Sequence, residues 1–563
     1  MIKVERIQNF NGFGSGGIPG EYFYSQGMSR SQFGITPNWS VTADADDSGL
    51  SNLALVNWFS QGAFSGTSYV YCFATDGRLY RAALNGTSWS QQRAISQVSY
   101  PSHANGLIFD QKNRLLYATD RYLGMSSDGS SFTDNWKDFG ITYTGLRPMD
   151  TYEDWVAIGN QNQVALLNVT DDSFNANALN LPSGFEIRCI KSGSNGILIA
   201  ANFNNRGVFF LWDAYSNRSI SQWIWRNSNI QAVIPTDDGW VVFTKQQILL
   251  TNGYSVKTLA DKFPDHLLND TNIVGSMLPQ GAEYQGGRLI FWGTGTGRFN
   301  RKKDGVYILD LSSGLMEFTP VANGTTYGVT GGAILYDNNN FIRLSYTTSL
   351  GTTTKFIGRL ANYPPARAHF ISEQLGQGEN EKVAEGVKLT LGLSSYQVLT
   401  LANTFDASVK VCNARRNIFG YAQTRAASTS ADVLKIDGSV SSSGYNKASV
   451  GDEVTILQGA NAGQVRHIAS IANQGTNTET WTLDSALPAN TESLAYLNVS
   501  PFVLVKKYSL SNIAELSELY FDIQKRIKGK KYLVKILIEN IPSGLMVELK
   551  GGQFIYDELT LKR

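Results

Sequence analysis

A degenerate repeat of about 44 residues is the feature that most constrains the fold of this chain. Each copy contains an apolar strand, a turn rich in Gly, Asp or Asn, a second strand, and a polar loop that carries an aromatic residue. The steps between successive copies are 44, 41, 44, 40, 58 and 36 residues, measured between the markers Leu79, Leu123, Val164, Val208, Ile248, Val306 and Ile342. This spacing is typical of the blades of a β-propeller.

The repeat predicts an all-β fold in which residues 51–362 form a β-propeller, and the seven copies favour seven blades. A four-stranded sheet cannot bury both faces alone, so neighbouring repeats must stack and close on themselves. Residues 1–50 are predicted to be an N-terminal arm that can supply a propeller-closing strand. Because this strand could add to or complete a blade, a count of six or eight blades remains an alternative. A pair of β-sandwiches is the alternative fold, but it does not explain the regular step. The step of 58 residues is assigned to a long hairpin loop at the Gly-rich segment 293–299.

The pattern changes after residue 362, where Pro364 and Pro365 interrupt strand pairing. Residues 363–563 are predicted to form a smaller β-rich C-terminal domain. A small β-module is expected to be inserted in it at about 448–497, after the Gly/Ser-rich stretch 439–444. Residues 511–524 fit either a short helix or another strand.

The overall charge of the chain does not favour any class of binding partner. The chain has 48 Lys and Arg against 47 Asp and Glu, a formal net charge of +1, so no global attraction to nucleic acid or to an anionic membrane is predicted. The N-terminus lacks the apolar run of a secretion signal, and no stretch of about 18 apolar residues occurs. We therefore expect a soluble protein that is made in a cytosol and does not insert into membranes.

The residues that usually carry chemistry are few and scattered. The three cysteines are far apart and are predicted to be buried thiols, and the four histidines lack metal-ligand spacing. These residues are Cys72, Cys189, Cys412, His103, His266, His369 and His467. The sequence also lacks a GxSxG elbow and a GxxxxGK[ST] phosphate loop. We therefore predict a non-enzymatic protein with no catalytic residue, no cofactor and no metal site.

Three segments have both a functional and a structural interpretation. Residues 126–132, and more faintly 85–89, resemble the Asp-box turn of sialidase-like propellers, where the box is a structural hairpin; the structural interpretation is a polar turn between blade strands. The basic run 525–531 can contact a DNA backbone or an acidic neighbour, or form a solvated turn. The tryptophans Trp212, Trp223 and Trp225 can form a sugar-stacking platform or belong to blade cores.

Two segments resemble structural proteins of bacteriophages. Residues 10–12, 24–29 and 34–37 look like the opening of phage structural proteins that continue into a degenerate propeller. Residues 451–487, with Gly-Gln-Val-Arg at 463–466, are similar to small β-modules of phage tail and fibre proteins. The resemblance implies a virion component of the tail nozzle, tail hub or fibre-attachment type, and it carries over no catalytic or binding residues.

The function expected from this resemblance is a structural one. The protein would be a part of the phage tail, copied around a symmetry axis as a homo-oligomer, and would bind other virion proteins near the tail or portal. Contact with DNA in a channel or with a host surface glycan is compatible with that position. The first alternative is a receptor-binding or glycan-degrading tail protein of the sialidase-like propeller type, and the second is a bacterial cytosolic scaffold.

Overall fold

The structure is a computed structural model of the 563-residue chain. It describes residues 2–7, 12–13, 21–22, 24–26, 28–30, 35–37, 39–44, 55–95, 105–225, 228–245, 247–260, 277–293, 304–312, 316–321, 329–337, 341–350, 352–362, 367–372, 375–376, 380–393, 404–413, 420–437, 448–510, 517–541 and 547–558. These residues form strands, turns and irregular segments, with no helix among them. No membrane-spanning helix is therefore found in the described part of the chain.

Seven short strands precede the repeats. They are β1 (Ile2–Ile7), β2 (Gly12–Phe13), β3 (Glu21–Tyr22), β4 (Tyr24–Gln26), β5 (Met28–Arg30), β6 (Ile35–Pro37) and β7 (Trp39–Ala43). Strands β2 and β3 pair with each other in parallel, and the other five join sheets built from later parts of the chain. The N-terminal segment is thereby tied to distant parts of the sequence.

The repeats fold into four-stranded antiparallel sheets, of which the described residues form seven. Blade 1 contains β8 (Val56–Phe64), β9 (Thr67–Ala74), β10 (Arg78–Ala83) and β11 (Ser90–Ala94). Blade 2 contains β12 (Gly106–Phe109), β13 (Leu115–Ala118), β14 (Tyr122–Ser126) and β15 (Thr133–Asp138). Blade 3 contains β16 (Met149–Tyr152), β17 (Trp155–Asn160), β18 (Gln163–Asn168) and β19 (Phe174–Asn180). Blade 4 contains β20 (Glu186–Gly193), β21 (Gly196–Phe203), β22 (Arg206–Trp212) and β23 (Ser221–Trp225).

The remaining blades follow the same order. Blade 5 contains β24 (Ile230–Thr236), β25 (Gly239–Thr244), β26 (Ile248–Thr251) and β27 (Val256–Ala260). Blade 6 contains β28 (Ala282–Gln285), β29 (Arg288–Gly293), β30 (Gly305–Asp310) and β31 (Met316–Thr319). Blade 7 contains β32 (Val329–Tyr336), β33 (Ile342–Leu350) and β34 (Thr352–Asn362), and its fourth strand is β7 from the N-terminal segment.

The blades close into a ring. The first strands of the blades, β8, β12, β16, β20, β24, β28 and β32, contact one another in that order, and β32 also contacts β8. On the outside of blade 7, β7 runs antiparallel to β34, with Val41 opposite Leu360. Closure covers the faces of blades 1 and 7 that an open row of blades would leave exposed. The predicted seven-bladed propeller is confirmed, and the sandwich alternative for residues 51–362 is excluded.

Large apolar side chains fill the spaces between blades, so the core runs around the ring. Trp292 of blade 6 is fully buried against Gly331 of blade 7, where a Cβ would lie 2.1 Å from Cγ of the indole. Any larger residue at position 331 would therefore clash with the ring. Burial of a side chain of this kind contributes roughly 1.5–3 kcal/mol, and each blade supplies several.

The irregular steps of the repeat have structural causes. Ile342 lies on the second strand of its blade, whereas the other markers lie on third strands, which shortens the last step to 36 residues. The step of 58 residues contains the 293–305 hairpin and also the long connection between β27 and β28, from residue 261 to 281. The Gly-rich segment, apart from Gly293, lies outside the described residues.

The C-terminal part contains thirteen strands among the described residues. They are β35 (Arg367–Ile371), β36 (Lys382–Leu393), β37 (Phe405–Asn413), β38 (Gly420–Ala426), β39 (Val433–Ile436), β40 (Glu453–Ile456), β41 (Val465–Ala472), β42 (Thr480–Leu483), β43 (Tyr496–Ser500), β44 (Val503–Leu510), β45 (Ser517–Gly529), β46 (Tyr532–Glu539) and β47 (Val547–Glu558). Within residues 511–524, the part from 517 onward is strand β45, and 511–516 lie outside the described residues.

Two sheets of these strands pack as a sandwich. One has the order β45-β36-β47-β6-β5, with β1 also paired to β47, and the other has the order β4-β35-β46-β37-β44. The side chains between them include Val387, Val409, Phe521, Val534 and Phe554, all fully buried. Both sheets therefore depend on strands from the first 40 residues as well as on the last 200.

The inserted module is a closed six-stranded barrel with the order β38-β39-β42-β41-β40-β43. Its strands run from Gly420 to Ser500, so the barrel begins earlier than the span 448–497 expected from the sequence. The reason is that β38 and β39 pair with β43 and β42, and closure requires both. Leu434 and Trp481 are buried in its interior.

The sandwich packs on the side of the propeller. Cys412, Phe502 and Leu533 share one apolar cluster with Phe243 of blade 5 and Phe291 of blade 6. Cys412 on β37 and Leu533 on β46 alternate with Val411 and Val534, which face the sandwich core. The same two strands thus bury one face inside the sandwich and the other against the ring.

Candidate functional site

A buried charge network lies where the ring closes. Asp44, directly after β7, lies 3.0 Å through Oδ1 from Nε of Arg359 and 3.8 Å through Oδ2 from Nη1 of Arg343. The indole N–H of Trp89 donates to Oδ2 of Asp44 at 2.9 Å, and Nε of Arg343 lies 3.1 Å from Asp337. Burial raises the pKa of Asp44, although the indole hydrogen bond and the two guanidinium groups oppose the shift.

This network joins three parts of the chain that are distant in sequence. Arg343 belongs to blade 7, Asp44 follows the N-terminal strand β7, and Trp89 precedes β11 of blade 1. The Arg343 guanidinium also donates to the carbonyl oxygens of Leu84 and Gly86 in blade 1. Side chains of Arg343 and Asp44 are fully buried, so breaking this contact would leave uncompensated charge inside the protein. We call these groups the closure network.

Other buried arginines connect neighbouring blades through backbone carbonyls. Arg147 donates from Nε to the carbonyl oxygen of Thr119 at 3.1 Å and from Nη2 to that of Asp120 at 2.6 Å. Its guanidinium lies 4.3 Å from the ring centre of Phe139, and burial lowers its pKa to about 10. Because Arg147 lies immediately before blade 3 and its acceptors belong to blade 2, it fixes the two blades relative to each other.

The turns between the third and fourth strands share one hydrogen-bonding arrangement in three blades. In the Asp-box-like segment of blade 2, Asp128 accepts hydrogen bonds from the backbone N–H groups of Ser130 and Ser131, at 2.8 and 2.7 Å. Asp213 in blade 4 and Asn252 in blade 5 accept the equivalent bonds two and three residues later. These contacts are those of an Asx turn, so the structural interpretation of the segment accounts for its hydrogen bonds.

A second buried ion cluster joins the barrel to the sandwich. Glu453 on β40 pairs with Lys410 on β37 and with Lys535 on β46, with 2.6 Å between Nζ of Lys535 and Oε1. The three side chains are 1–8% exposed. Burial alone would raise the pKa of Glu453, but the two ammonium groups outweigh it and hold that pKa well below its usual range. We call these residues the Lys–Glu–Lys triad.

Beside the triad lies a cleft of about 240 Å³ between the barrel and the sandwich. Its charged lining consists of Lys410, Arg466, Lys507 and Glu539. These charges already have partners within the protein: Arg466 donates to the carbonyl oxygen of Ala486, and Lys507 pairs with Asp406 and Glu539. The cleft therefore resembles a polar seam between two units more than a pocket for a charged ligand.

The tryptophans of the predicted platform do not share one environment. Trp212 is 1% exposed and belongs to the core between blades 3 and 4, whereas Trp223 is 39% exposed. The side chain of Trp225 lies outside the described residues. Two exposed tyrosines that the sequence analysis did not single out, Tyr215 and Tyr254, lie on the same part of the ring and are 65% and 58% exposed.

The other residues considered from the sequence are dispersed. All three cysteines are buried and none forms a disulfide, and burial raises the pKa of Cys189 to about 11. His467 lies 3.1 Å from Asp484, the side chain of His369 is outside the described part, and His103 and His266 are outside it altogether. The basic run lies at the β45–β46 turn, where Lys528, Lys530 and Lys531 are exposed. Within the described ranges, no three His, Cys, Asp or Glu side chains are grouped as metal ligands would be.

The closure network and the triad were not predicted from the sequence, although the sequence contains an indication of each. Arg343, Lys410 and Lys535 are single cations inside apolar strands, where a charged residue requires a buried partner. Their partners could not be identified, because Asp44 lies 299 residues before Arg343 and Glu453 lies 82 residues before Lys535.

Comparison with known proteins gives remote structural similarity only. No protein-family model and no curated protein matches the chain. Among solved structures, the extracellular domain of a one-component system from B. thetaiotaomicron is 13% identical with a TM-score of 0.40; the match covers 61% of this chain and 43% of that one. The WD40 domain of Neurospora crassa Pan2 is 9% identical with a TM-score of 0.36, covering 57% of this chain and 95% of that one. The RRP9 WD40 repeats are 10% identical with a TM-score of 0.37, covering 57% and 100%. The fold assignment therefore depends on the strand pairings described above.

Proposed function

We propose that this protein is a structural component of a bacteriophage virion, located in the tail as a nozzle, hub or adaptor, and that it acts through protein–protein interfaces. The observation that carries the proposal is that the chain joins its three units, propeller, sandwich and barrel, into one body with buried contacts. An adaptor must hold its binding surfaces at fixed positions, and this arrangement supplies that rigidity.

The buried charges support this interpretation because they lie at the junctions between units. The triad fixes the barrel to the sandwich, and the closure network fixes the first blade to the last. Buried ion pairs add little net stability compared with apolar packing, but breaking one is costly. Their contribution here is a single defined geometry, which is what an assembly of many copies requires.

The outer strand β1 offers a surface suited to assembly. It pairs with β47 along one side, and its apolar residues Ile2 and Val4 are 70% and 56% exposed. Exposed apolar residues on an outer strand are a common basis for pairing with another chain. Together with the resemblance of the N-terminal segments to phage structural proteins, this surface favours an assembly partner over a small-molecule substrate.

Mass spectrometry of density-gradient-purified phage particles tests the proposal. We expect the protein to sediment with the particles at a constant ratio to the major capsid protein, and native mass spectrometry of the isolated chain or of dissociated tails to show a cyclic homo-oligomer. Particles made without the protein should lack a complete tail. Infectious, complete particles that contain none of the protein would contradict the proposal, as would its presence in uninfected bacterial cytosol at the same level.

A further inference from the structure

Four aromatic residues lie at the surface of blades 3 to 5; three are exposed, and Trp155 is half-buried. They are Trp155, Tyr215, Trp223 and Tyr254, and we call them the aromatic rim. Trp155, Tyr215 and Tyr254 lie at one end of the blades, where the turns between the first and second strands and between the third and fourth strands meet. Trp223 lies further along the outer strand of blade 4, opposite Phe209. Tyr215, Trp223 and Tyr254 are 65%, 39% and 58% exposed, although large aromatic side chains usually bury most of their surface.

The ring of Tyr215 is held in place by its neighbours. Its hydroxyl donates to the carboxylate of Glu153 on blade 3, and its ring meets that of Trp155 edge to face, with 6.5 Å between centres and an angle of 80°. Its backbone is fixed by Asp213, which accepts hydrogen bonds from the N–H groups of Tyr215 and Ser216 at 3.0 and 2.8 Å. A fixed, exposed ring loses little conformational entropy when a ligand stacks on it.

Tyr254 occupies the equivalent position one blade further along. It lies two residues after Asn252, as Tyr215 lies two residues after Asp213, and both turns have the same hydrogen bonds. Ser221, at the start of the outer strand of blade 4, donates to the carbonyl oxygen of Gly253 at 2.7 Å, and Trp223 follows on that strand. This contact brings the outer strand of blade 4, which carries Trp223, next to the turn of blade 5 that carries Tyr254.

The surroundings of the rim are polar, and carboxylates outnumber cations there. Glu153 and Asp154 are exposed and Asp213 is half-buried, whereas the nearby exposed cations are Arg218 and Lys257. Among the exposed large hydrophobic residues that the structure describes in this region, only Ile220 is aliphatic. A stable protein interface needs roughly 800 Å² per partner around a well-packed apolar centre, which one aliphatic side chain does not provide. Aromatic faces flanked by carboxylates instead match sugars, whose C–H faces stack on rings and whose hydroxyls donate to carboxylates.

We infer that the aromatic rim is a binding site for a neutral oligosaccharide, with sugar units stacked at the Tyr215 and Tyr254 positions. Because carboxylates outnumber cations beside the rings, charge repulsion disfavours uronic and sialic acids. This inference goes beyond the virion proposal and does not depend on it, because the site is complete within one chain.

A glycan array carrying neutral and acidic oligosaccharides, incubated with the labelled full chain, tests the inference. We expect retention of neutral oligosaccharides only, followed by saturable quenching of tryptophan fluorescence when the best-retained neutral oligosaccharide is titrated into the protein. The double variant Tyr215→Ala/Tyr254→Ala should bind it at least about tenfold more weakly, and Tyr215→Phe/Tyr254→Phe should retain most of the affinity because the rings remain. Tyr520→Ala removes an exposed tyrosine of the sandwich, 48% exposed, and should leave binding unchanged.

Three outcomes would overturn the inference. They are retention of no neutral oligosaccharide, retention of acidic ones alone, and equal binding by the double alanine variant with an unchanged melting temperature. Loss of a captured protein partner in that variant, with no glycan bound by the wild type, would assign the rim to a protein interface instead. None of these results bears on the particle test, so the two proposals fail separately.

Discussion

The propeller and the C-terminal sandwich are both made of antiparallel strands, but they are assembled from the sequence in opposite ways. In blades 1 to 6, all four strands come from one continuous stretch of chain. In the sandwich, partners lie at opposite ends of the sequence, as where Val4 faces Ile555 and Ser25 faces Phe370. A local repeat can therefore specify a large ring, whereas joining distant segments requires additional contacts that fix their positions.

Those additional contacts are the two buried charge clusters, and they differ in their electrostatics. The closure network encloses Asp44, whose pKa is raised by burial, at the single blade that uses a strand from elsewhere in the chain. The triad encloses Glu453, whose pKa is lowered by two ammonium groups despite burial. The comparison predicts that the two junctions respond differently to mutation and to pH.

The largest effect is expected from Arg343→Met, which leaves Asp44 and Asp337 buried without their shared cation. Breaking a buried ion pair in this way costs about 3–5 kcal/mol. Urea unfolding followed by tryptophan fluorescence measures it, since ten of the eleven tryptophans lie within residues 39–292. Arg78→Met, which removes a 49% exposed partner of Asp76, is the matched control and should cost under about 1 kcal/mol. Equal effects of the two variants would show that the closure network does not hold the ring.

The triad should respond to removal of one charge but tolerate removal of all three. Glu453→Gln removes the carboxylate that Lys410 and Lys535 share and should destabilise the barrel–sandwich junction by about 3 kcal/mol. The triple variant Lys410→Met/Glu453→Met/Lys535→Met should be close to neutral, because apolar side chains of similar length pack without a desolvation cost. Hydrogen exchange of peptides from β40 and β46 measures how readily the junction opens in each of the two variants. A triple variant that opens more readily than Glu453→Gln would contradict this account.

Lowering the pH should change the stability of the two junctions in opposite directions. The pKa of Glu453 is below its ordinary value of 4.5, so its contribution to stability is complete above about pH 4.5 and is lost as the pH falls. The pKa of Asp44 is above its ordinary value of 3.8, so its contribution is complete below about pH 3.8 and declines as the pH rises. Between pH 6 and pH 3, the stability advantage of the wild type should shrink relative to Glu453→Gln and grow relative to Asp44→Asn. Unfolding curves at several pH values check this, and parallel trends would refute it.

The smallest effect is expected at a repeated turn of the propeller. Asp213→Ala removes an acceptor of two backbone hydrogen bonds and one from the Ser216 hydroxyl, and should cost about 1 kcal/mol because water replaces part of them. Asp213→Asn keeps an acceptor and should cost less. A thermal melt compares both with Asn217→Ala, an exposed neighbour in the same turn. A loss as large as that of Arg343→Met would mean that the turns, rather than the closure network, limit the stability of the ring.

The locally paired strands of the propeller could be predicted from the sequence, whereas pairings between distant segments could not. The blade strands were found because each alternates or runs apolar over a few residues and meets its partner across a short turn, as residues 69–73 meet 78–80. The early start of the barrel was missed because Val433–Ile436 has only four residues and is separated from the next barrel strand by a Gly/Ser-rich stretch.

The candidate site was less accessible to sequence reasoning. Trp223 was singled out as an aromatic residue, but its exposure depends on its position on the outermost strand of a blade. Tyr215 and Tyr254 were not singled out, although the shared pattern of Asp or Asn followed by Tyr and Ser two and three residues later marks both turns. That pattern identifies the turn, and only the stacking of blades brings the two turns to the same end of neighbouring blades.

Hydrogen exchange of the intact chain shows whether the N-terminal segment is a built-in part of both the ring and the sandwich. We expect peptides covering β1 and β7 to exchange as slowly as those covering their partners β47 and β34. We also expect Arg343→Met to accelerate exchange in β7 but not in β1. Rapid exchange of both N-terminal strands in the wild type, at the rate of an unstructured peptide, would contradict this account.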